Sequence, residues 1–271
     1  MALNRKIVRV GIAGLGAIGT NVAHKLDAGV DGLRLTAIGL RDPAQGAARI
    51  ALNAPCVFTH IEALEPHCDV VVECAPAELL PVIAEPVLRA GKTLMVLSIG
   101  ALLRNMALID LAREHGGQII APTGALIGLD AVTAAAEGTI HSVRMITRKP
   151  VRGLVGAPYL VEHKIAIEDI KEPLRIFNGS PREAAAGFPA NLNVAVALAL
   201  AGIGPDRTTL EIWADPHLER NTHRIEVEVD SASFSMEIRN IPSENPRTGK
   251  ITALSVMAAL RKMTAPLRVG T

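Results

Sequence analysis

Three glycines near the start of the chain have the spacing of a phosphate-binding turn. Gly14, Gly16 and Gly19 form G-x-G-x-x-G between an apolar stretch and a segment of helical character. In a strand–turn–helix unit the first glycine permits the tight turn, the second lets backbone approach a pyrophosphate, and the third allows close helix–strand packing. The helix start, including Ala17 and Ile18, would present N–H groups to the phosphates. This context predicts dinucleotide binding, with a plain glycine turn as the alternative.

The residues after the second predicted strand bear on which dinucleotide binds. Arg41 and Asp42 follow LRLTAIGL, about 20 residues after the glycines, where the ribose acceptor of such sites lies. Asp42 could accept a hydrogen bond from a 2′-hydroxyl, whereas Arg41 could pair with a 2′-phosphate. The alternative is a turn in which Asp42 caps the next helix. Both NAD and NADP therefore stay open.

Small residues end the later strands of the same half. Cys74 and Ala75 follow DVVVE, Ser98 follows KTLMVL, and Ala125 closes QIIAPTGA. Ligands on open α/β sheets bind at the carboxyl ends of the strands, so these positions are predicted to let a ribose and a nicotinamide approach backbone. Cys74 could be read as a nucleophile, but no histidine is evidently paired with it. A small packed thiol is the preferred interpretation.

Hydride transfer to a nicotinamide needs a proton acceptor near the reacting carbon, and histidine suits neutral pH. Most of the eight histidines have surface or helix positions in the predicted elements. His141 and His163 remain open in the second half of the chain. His223 lies in WADPHLERNTHRIEV, a polar connection between two predicted strands, and is a further candidate.

The order of the predicted elements indicates an α/β protein with two domains. Residues 1–130 alternate strands with helices, which is the pattern of a Rossmann-type doubly wound parallel sheet. They include a predicted helix over 43–54 and a predicted strand over 92–102. Residues 131–245 are richer in strands and predict an α+β domain for substrate binding and dimerisation. Residues 246–271 contain a mostly apolar helix that we expect to pack back on the first domain.

The composition excludes several classes of protein. The formal net charge is +1 without a block of like charges, which argues against nucleic-acid or polybasic membrane binding. No apolar stretch reaches the roughly 18 residues of a membrane span. Three cysteines at spacings unlike a zinc site favour reduced thiols and no metal. A soluble cytoplasmic enzyme acting on a small molecule is the expected class.

Several segments together resemble the L-aspartate dehydrogenase family over almost the whole chain. The glycine motif GLGAIG is common to many dehydrogenases and discriminates little. More specific are the segments APTGALIGLDA, FPANLNVAVALALAGIG, WADPHLERNTHRIEV and NIPSENPRTGKITALSVMAAL, in that order.

The resemblance implies roles for three kinds of residue. It assigns the active-site histidine to His223 and NAD contacts to Ala125 and to an asparagine of NLNVA. Asn193 is preferred over Asn191, which suits a helix cap better. The implied reaction is NAD(P)-dependent oxidation of L-aspartate to iminoaspartate, then release of oxaloacetate and ammonia or use in NAD biosynthesis. A homodimer is also expected.

Other interpretations remain open at this point. One is a reductase of the dihydrodipicolinate reductase or homoserine dehydrogenase type, and another is a regulator that binds NAD(P) without catalysis. Two substrate carboxylates would need cationic or hydroxyl partners. The candidates for this role are Arg148, Lys149, Lys164, Arg247, Thr248 and Lys250.

Overall fold

The chain forms two compact units in the computed structural model, which describes residues 7–189, 192–243 and 249–270. The first unit comprises the described residues up to Gly124 together with Thr252–Arg268, and the second comprises those of Ala125–Ile251 together with the chain end from Val269. The divisions therefore fall after residues 124 and 251, whereas the sequence predicts them after 130 and 245.

The first unit contains a six-stranded sheet within the described residues, in the order β3-β2-β1-β4-β5-β6. All neighbouring strands are parallel. This order is that of a dinucleotide-binding doubly wound fold and confirms the predicted fold class. The strands are β1 (Val8–Ala13), β2 (Leu33–Leu40), β3 (Val57–His60), β4 (Val70–Glu73), β5 (Thr93–Val96) and β6 (Gln118–Ile120).

The second unit contains a five-stranded mixed sheet in its described part, in the order β11-β10-β7-β9-β8. The β7–β9 pair is parallel and the other pairs are antiparallel. Its strands are β7 (Ile140–Pro150), β8 (Leu174–Gly179), β9 (Thr209–Asp215), β10 (Thr222–Val229) and β11 (Ser233–Arg239). The mixed sheet agrees with the predicted α+β character, although β8 is absent from the sequence-based prediction.

Ten α-helices accompany the two sheets in the described ranges. Gly116 follows the helix at residues 107–115, and Gly91 follows the helix at residues 80–89. Both glycines adopt the left-handed conformation that favours glycine after a helix. The helices are α1 (Ala17–Asp27), α2 (Pro43–Ala47), α3 (Leu80–Arg89), α4 (Ile99–Leu102), α5 (Ala107–His115), α6 (Leu129–Ala135), α7 (Pro158–Glu162), α8 (Pro181–Gly187), α9 (Asn193–Ala201) and α10 (Ile251–Thr264).

Two elements end earlier than the sequence predicts. The predicted helix over 43–54 stops at Ala47, and the N–H groups of Asn53 and Ala54 donate to the Asp27 carboxylate at 2.8 and 3.0 Å instead of to a helix. The predicted strand over 92–102 stops at Val96. Beyond it the Glu73 carboxylate accepts the next two N–H groups, and a short helix follows.

The C-terminal helix α10 contributes to the core of the first unit. Its Ala253, Val256, Met257 and Leu260 are buried in the same apolar cluster as side chains of β1, β2, β4 and α1. Burying aliphatic surface of this kind is the main stabilising contribution to such a core. The first unit is therefore discontinuous in the chain.

Candidate active site

The glycine turn after β1 is shaped by contacts that a side chain would disrupt. Gly14 has φ +98°, and a Cβ there would lie 2.8 Å from the Cys74 carbonyl oxygen. A Cβ at Gly19 would clash with the Gly14 carbonyl oxygen. Gly16 differs, because the nearest atom to its Cβ position is the Cys74 oxygen at 4.0 Å. The first and third glycines are thus required by packing, and the space beside the second is open to a ligand.

Helix α1 begins directly at this turn. Gly16 is its N-cap residue, no side chain caps it, and its first turn carries no acidic residue. Ala17 is exposed and Ile18 is half-buried. An uncapped helix start offers N–H groups and a partial positive charge to an anion. These residues fit the pyrophosphate of a dinucleotide.

Arg41 and Asp42 are exposed after β2. Asp42 is the N-cap of α2, and its Oδ1 accepts the Gln45 N–H at 3.0 Å. The helix-capping alternative is therefore present in the structure. It occupies one carboxylate oxygen, so the ribose contact of Asp42 and the phosphate contact of Arg41 stay predictions.

Cys74 and Ala75 lie against the glycine turn. The Cys74 N–H donates to Ala13 at 2.8 Å, and the Ala75 Cα is 3.1 Å from the Cβ position of Gly14. Burial strongly raises the pKa of the Cys74 thiol, so it is protonated at neutral pH. This agrees with a packed thiol and disfavours a nucleophile.

Ser98 is held by a buried carboxylate. Its hydroxyl donates to Glu73 Oε1 at 3.0 Å and its N–H donates to Oε2 at 2.8 Å. The Ser98 side chain is therefore engaged within the protein, and its cofactor contact stays a prediction. The sequence interpretation assigns Glu73 no role.

The two positions that the resemblance assigns to NAD contacts have different surroundings. Ala125 follows Gly124, and its carbonyl oxygen accepts the Asn240 Nδ2–H at 2.9 Å. Asn193 is exposed and is the first residue of α9, whose N-cap is Leu192. Asn191 lies outside the described residues, so the choice between the two asparagines is not tested.

His223 is buried in the mixed sheet, with 3% of its surface exposed. It is paired with Thr147 on β7, and its Nδ1 lies 3.2 Å from the Thr147 Oγ1. Side chains alternate between the faces of a strand, so Lys149 lies on the same face, two residues beyond Thr147. Lys149 is 5% exposed. The sheet thus gathers an imidazole, a hydroxyl and an amine on one buried face.

The charges of this cluster are set by burial. Burial and the charge of Lys149 lower the pKa of His223 to about 3. Burial lowers the pKa of Lys149 to about 8. At pH 7 the pair is therefore a neutral imidazole beside a cationic amine. Such a pair can accept a proton and bind an anion.

Three of the other proposed carboxylate ligands, Arg148, Lys164 and Lys250, lie within the described residues. Arg148 pairs in register with Thr222 on the sheet face opposite His223, and its guanidinium lies over the Trp213 ring at 4.9 Å. That face carries an open cavity of about 390 Å³ lined by Arg148, Thr222 and charged neighbours. Lys164 and Lys250 are exposed. Arg247 and Thr248 lie outside the described residues.

No group of three or more His, Cys, Asp or Glu side chains in ranges 7–189, 192–243 and 249–270 is arranged to hold a metal ion. Within the same part of the chain, no helix is long and apolar enough to cross a bilayer.

The two halves of the chain match different family models. Residues 14–122 match the family model "Homoserine dehydrogenase, NAD binding domain", and residues 130–263 match "Aspartate dehydrogenase, C-terminal". The L-aspartate dehydrogenase of Bradyrhizobium diazoefficiens is 60% identical over 97% of this chain and 94% of its own length. L-aspartate dehydrogenase 3 of Bordetella bronchiseptica is 58% identical over 99% of both chains. The chain belongs to the L-aspartate dehydrogenase family.

The family assignment confirms the resemblance that the sequence indicates. A solved structure of an aspartate dehydrogenase also has a similar fold. The crystal structure of aspartate dehydrogenase from Thermotoga maritima superposes with a TM-score of 0.73, covering 97% of this chain and 99% of that one. At 23% identity this likeness shows the fold alone. The C-terminal match of the L-aspartate dehydrogenase family includes Thr147, Lys149 and His223.

Two buried polar residues of this family member, Glu73 and Thr147, are missing from the sequence-based site, and Lys149 is there only as one of six candidate carboxylate partners. Glu73 could have been suspected, because a charged residue ending the run VVVE must find partners if it is buried. Thr147 and Lys149 lie two and four residues after the apolar Met145, so the period of a strand places all three side chains on the same buried face of β7. No local pattern could reveal that Thr147 lies beside His223, since this depends on the pairing of β7 with β10.

Proposed function

We propose that the protein is an NAD(P)-dependent L-aspartate dehydrogenase with His223 as its acid/base. The observation that carries the proposal is the neutral, buried His223 beside the cationic Lys149, in the part of the chain that matches the aspartate dehydrogenase family model. The first unit would supply the dinucleotide site, and the second would supply the proton acceptor and the carboxylate partner.

The proposed reaction removes a hydride and one proton from L-aspartate. The substrate ammonium gives a proton to His223, and the freed nitrogen lone pair forms a C=N bond as the Cα–H bond breaks. A dinucleotide held at the glycine turn would supply the hydride acceptor. The product is iminoaspartate in its iminium form. Water can hydrolyse it to oxaloacetate and ammonia, or it can be used in NAD biosynthesis.

His223 is suited to accept that proton because it is neutral before the substrate binds. If its Nδ1–H donates to the Thr147 hydroxyl, Nε2 keeps a lone pair for the substrate proton. A dicarboxylate bound on the same buried face would bring negative charge close to the imidazole. That charge would raise the proton affinity of His223 and offset the charge of Lys149.

Lys149 is the candidate partner of one substrate carboxylate. Among the candidates from the sequence that the structure describes, it is buried on the face that carries His223. An ammonium in a poorly solvated position binds a carboxylate more strongly than a surface lysine does. Its burial therefore favours it over the exposed Lys164 and Lys250.

The dinucleotide would be held by the cofactor-binding residues that the sequence predicts. Gly14 and Gly19 shape the turn, Gly16 leaves room for the pyrophosphate, and α1 supplies N–H groups. The predicted contacts of Arg41, Asp42, Cys74, Ala75, Ser98, Ala125 and Asn193 belong to this proposal. Asp42 would favour NAD and Arg41 would favour NADP, and the proposal leaves this preference open.

The proposal is tested by following NAD(P)H formation with L-aspartate and a panel of other amino acids. We expect turnover with L-aspartate and at least one of the two cofactors. D-aspartate, L-asparagine and L-glutamate serve as matched controls for stereochemistry, charge and length. Absence of an aspartate-dependent signal with both cofactors would contradict the function and leave the fold unaffected.

A His223→Ala variant distinguishes an enzyme from a non-catalytic dinucleotide-binding regulator. We expect kcat to fall by about 10²-fold or more, because general acid–base catalysis typically contributes that much. The dissociation constant of the cofactor should stay unchanged. His141→Ala is the control, since His141 is exposed on β7. Unchanged turnover in His223→Ala would contradict the assigned role.

A further inference from the structure

Glu73 is a fully buried carboxylate that the proposed chemistry does not use. It is the last residue of β4, follows three buried valines, and has 0% of its surface exposed. Burying such a group is costly unless hydrogen bonds compensate for the lost water. Its surroundings must therefore contain well-placed donors.

The donors come from two neighbouring strand ends. The N–H groups of Leu97 and Ser98 donate to Oε2 at 3.1 and 2.8 Å, and the Ser98 hydroxyl donates to Oε1 at 3.0 Å. The N–H group of Ala75 also donates to the carboxyl group. Ala75 follows β4, whereas Leu97 and Ser98 follow β5. One side chain therefore joins the segments that leave two adjacent strands.

The segment after β4 is in turn packed against the glycine turn. The Cys74 carbonyl oxygen and the Ala75 Cα lie 2.8 and 3.1 Å from the Cβ position of Gly14. The two segments are also joined directly, because the Cys74 N–H donates to the Ala13 carbonyl oxygen at 2.8 Å. A shift of Cys74 and Ala75 would therefore be transmitted to the glycine turn. Glu73 thus fixes three segments at the carboxyl edge of the sheet, where dinucleotides bind in this fold.

We propose that Glu73 is a positioning residue for the dinucleotide, acting by holding the segments after β4 and β5 in place against the glycine turn. The inference rests on the proposed function only in that the ligand is NAD or NADP. Glu73 itself touches neither substrate nor cofactor in this proposal. Loss of the Glu73 carboxylate should therefore weaken cofactor binding more than an equally destabilising substitution nearby does.

The test compares cofactor dissociation constants, measured by calorimetry on the full chain, with melting temperatures. Glu73→Met keeps side-chain bulk but removes both acceptor oxygens. We expect it to weaken binding by about tenfold or more, because even one lost hydrogen bond to a charged group is worth a factor of about this size. The KM for L-aspartate at saturating cofactor should stay within about twofold.

Val71→Ala is the matched control. Val71 is buried on the same face of β4, but its side chain cannot accept hydrogen bonds from the segments after β4 and β5. It should lower the melting temperature while leaving the cofactor dissociation constant within about twofold. If Val71→Ala weakens binding as much as Glu73→Met at a similar loss of melting temperature, the positioning role is overturned. Wild-type affinity in Glu73→Met would overturn it as well.

A second variant covers the case in which Glu73→Met does not fold. Glu73→Asp retains the charge but withdraws the oxygens by one methylene, and we expect cofactor affinity to fall by about tenfold. Unchanged affinity would contradict the inference. The two proposals can fail separately: a wild-type protein that binds NAD(P) without oxidising aspartate contradicts the function alone. Cofactor affinity that does not respond to changes at Glu73 contradicts this inference alone.

Discussion

At the scale of single residues, His223 links the candidate site to the stability of the fold. The folded chain keeps it neutral, with a pKa of about 3, whereas an unfolded histidine has a pKa near 6.5. As pH falls below 6.5 the unfolded state binds a proton that the folded state does not. The contribution of His223 is therefore a loss of stability as pH falls from 6.5 toward 3.

We predict that His223→Gln flattens the acid side of the stability profile. The wild type should lose about 2 kcal/mol of unfolding free energy from this residue between about pH 7.5 and about pH 5. Urea unfolding at both pH values measures it. His141→Gln is the control and should retain the wild-type dependence, because His141 is exposed. Equal pH dependence in His223→Gln and the wild type would refute a buried neutral imidazole.

Lys149 leads to a prediction on the alkaline side. Its pKa of about 8 means that the amine loses its charge as pH rises through 8. Succinate is a suitable probe, because it is a dicarboxylate without an amino group that titrates in this range. Its inhibition constant should be constant below pH 7 and rise about fivefold between pH 8 and pH 9.

The Lys149→Met variant should bind succinate weakly and without this pH dependence. Lys164→Met is the matched control, because Lys164 is exposed and should leave the wild-type profile intact. Retention of the alkaline rise in Lys149→Met would assign it to another group. That outcome would remove Lys149 from the carboxylate site.

At the scale of elements, the glycine turn separates packing from ligand binding. Gly19 has no room for a methyl group, because its Cβ would meet the Gly14 carbonyl oxygen, whereas the Cβ position of Gly16 is open. The fold thus requires glycine at position 19, whereas at position 16 a bound dinucleotide would require it.

We predict opposite behaviour for alanine at these two positions. Gly19→Ala should destabilise the protein by about 2 kcal/mol, since overpacking against backbone forces a shift. Gly16→Ala should change stability by less than about 0.5 kcal/mol but weaken NAD(P) binding by about tenfold, because the backbone can no longer approach the pyrophosphate. Urea unfolding and cofactor titration measure the two effects. Tight cofactor binding in a stable Gly16→Ala variant would contradict the proposed cradle.

At the scale of the whole molecule, the first unit depends on a helix from the far end of the chain. Leu260 of α10 is fully buried in the core cluster that includes β1, β2 and α1, whereas Leu254 of the same helix is 52% exposed. The dinucleotide half is therefore complete only when the C-terminal segment is present.

We predict that Leu260→Ala costs about 3 kcal/mol of unfolding free energy, as large-to-small substitutions in a packed core do. Leu254→Ala should cost less than about 0.5 kcal/mol, because an exposed side chain loses little burial. Chemical denaturation of both variants provides the comparison. Equal effects of the two substitutions would show that α10 does not contribute to this core.

The sequence alone determined features that rest on local patterns. The parallel sheet follows from strand–helix alternation. The predictions of a dinucleotide turn and of an active-site His223 come from three glycines in that context and from a family-specific segment. The resemblance to the L-aspartate dehydrogenase family depends on several such segments in order. Each of these signals is carried by residues that are close together in the chain.

Only the tertiary structure decided which residues surround these features. Thr147 and Lys149 join His223 because β7 pairs with β10 in one register, and a shift of one residue would reverse their faces. Glu73 shortens β5 because its carboxylate reaches N–H groups more than 20 residues away. Burial then sets the charge of each group. Contacts between distant segments, and the loss of water around them, are not encoded in any local pattern.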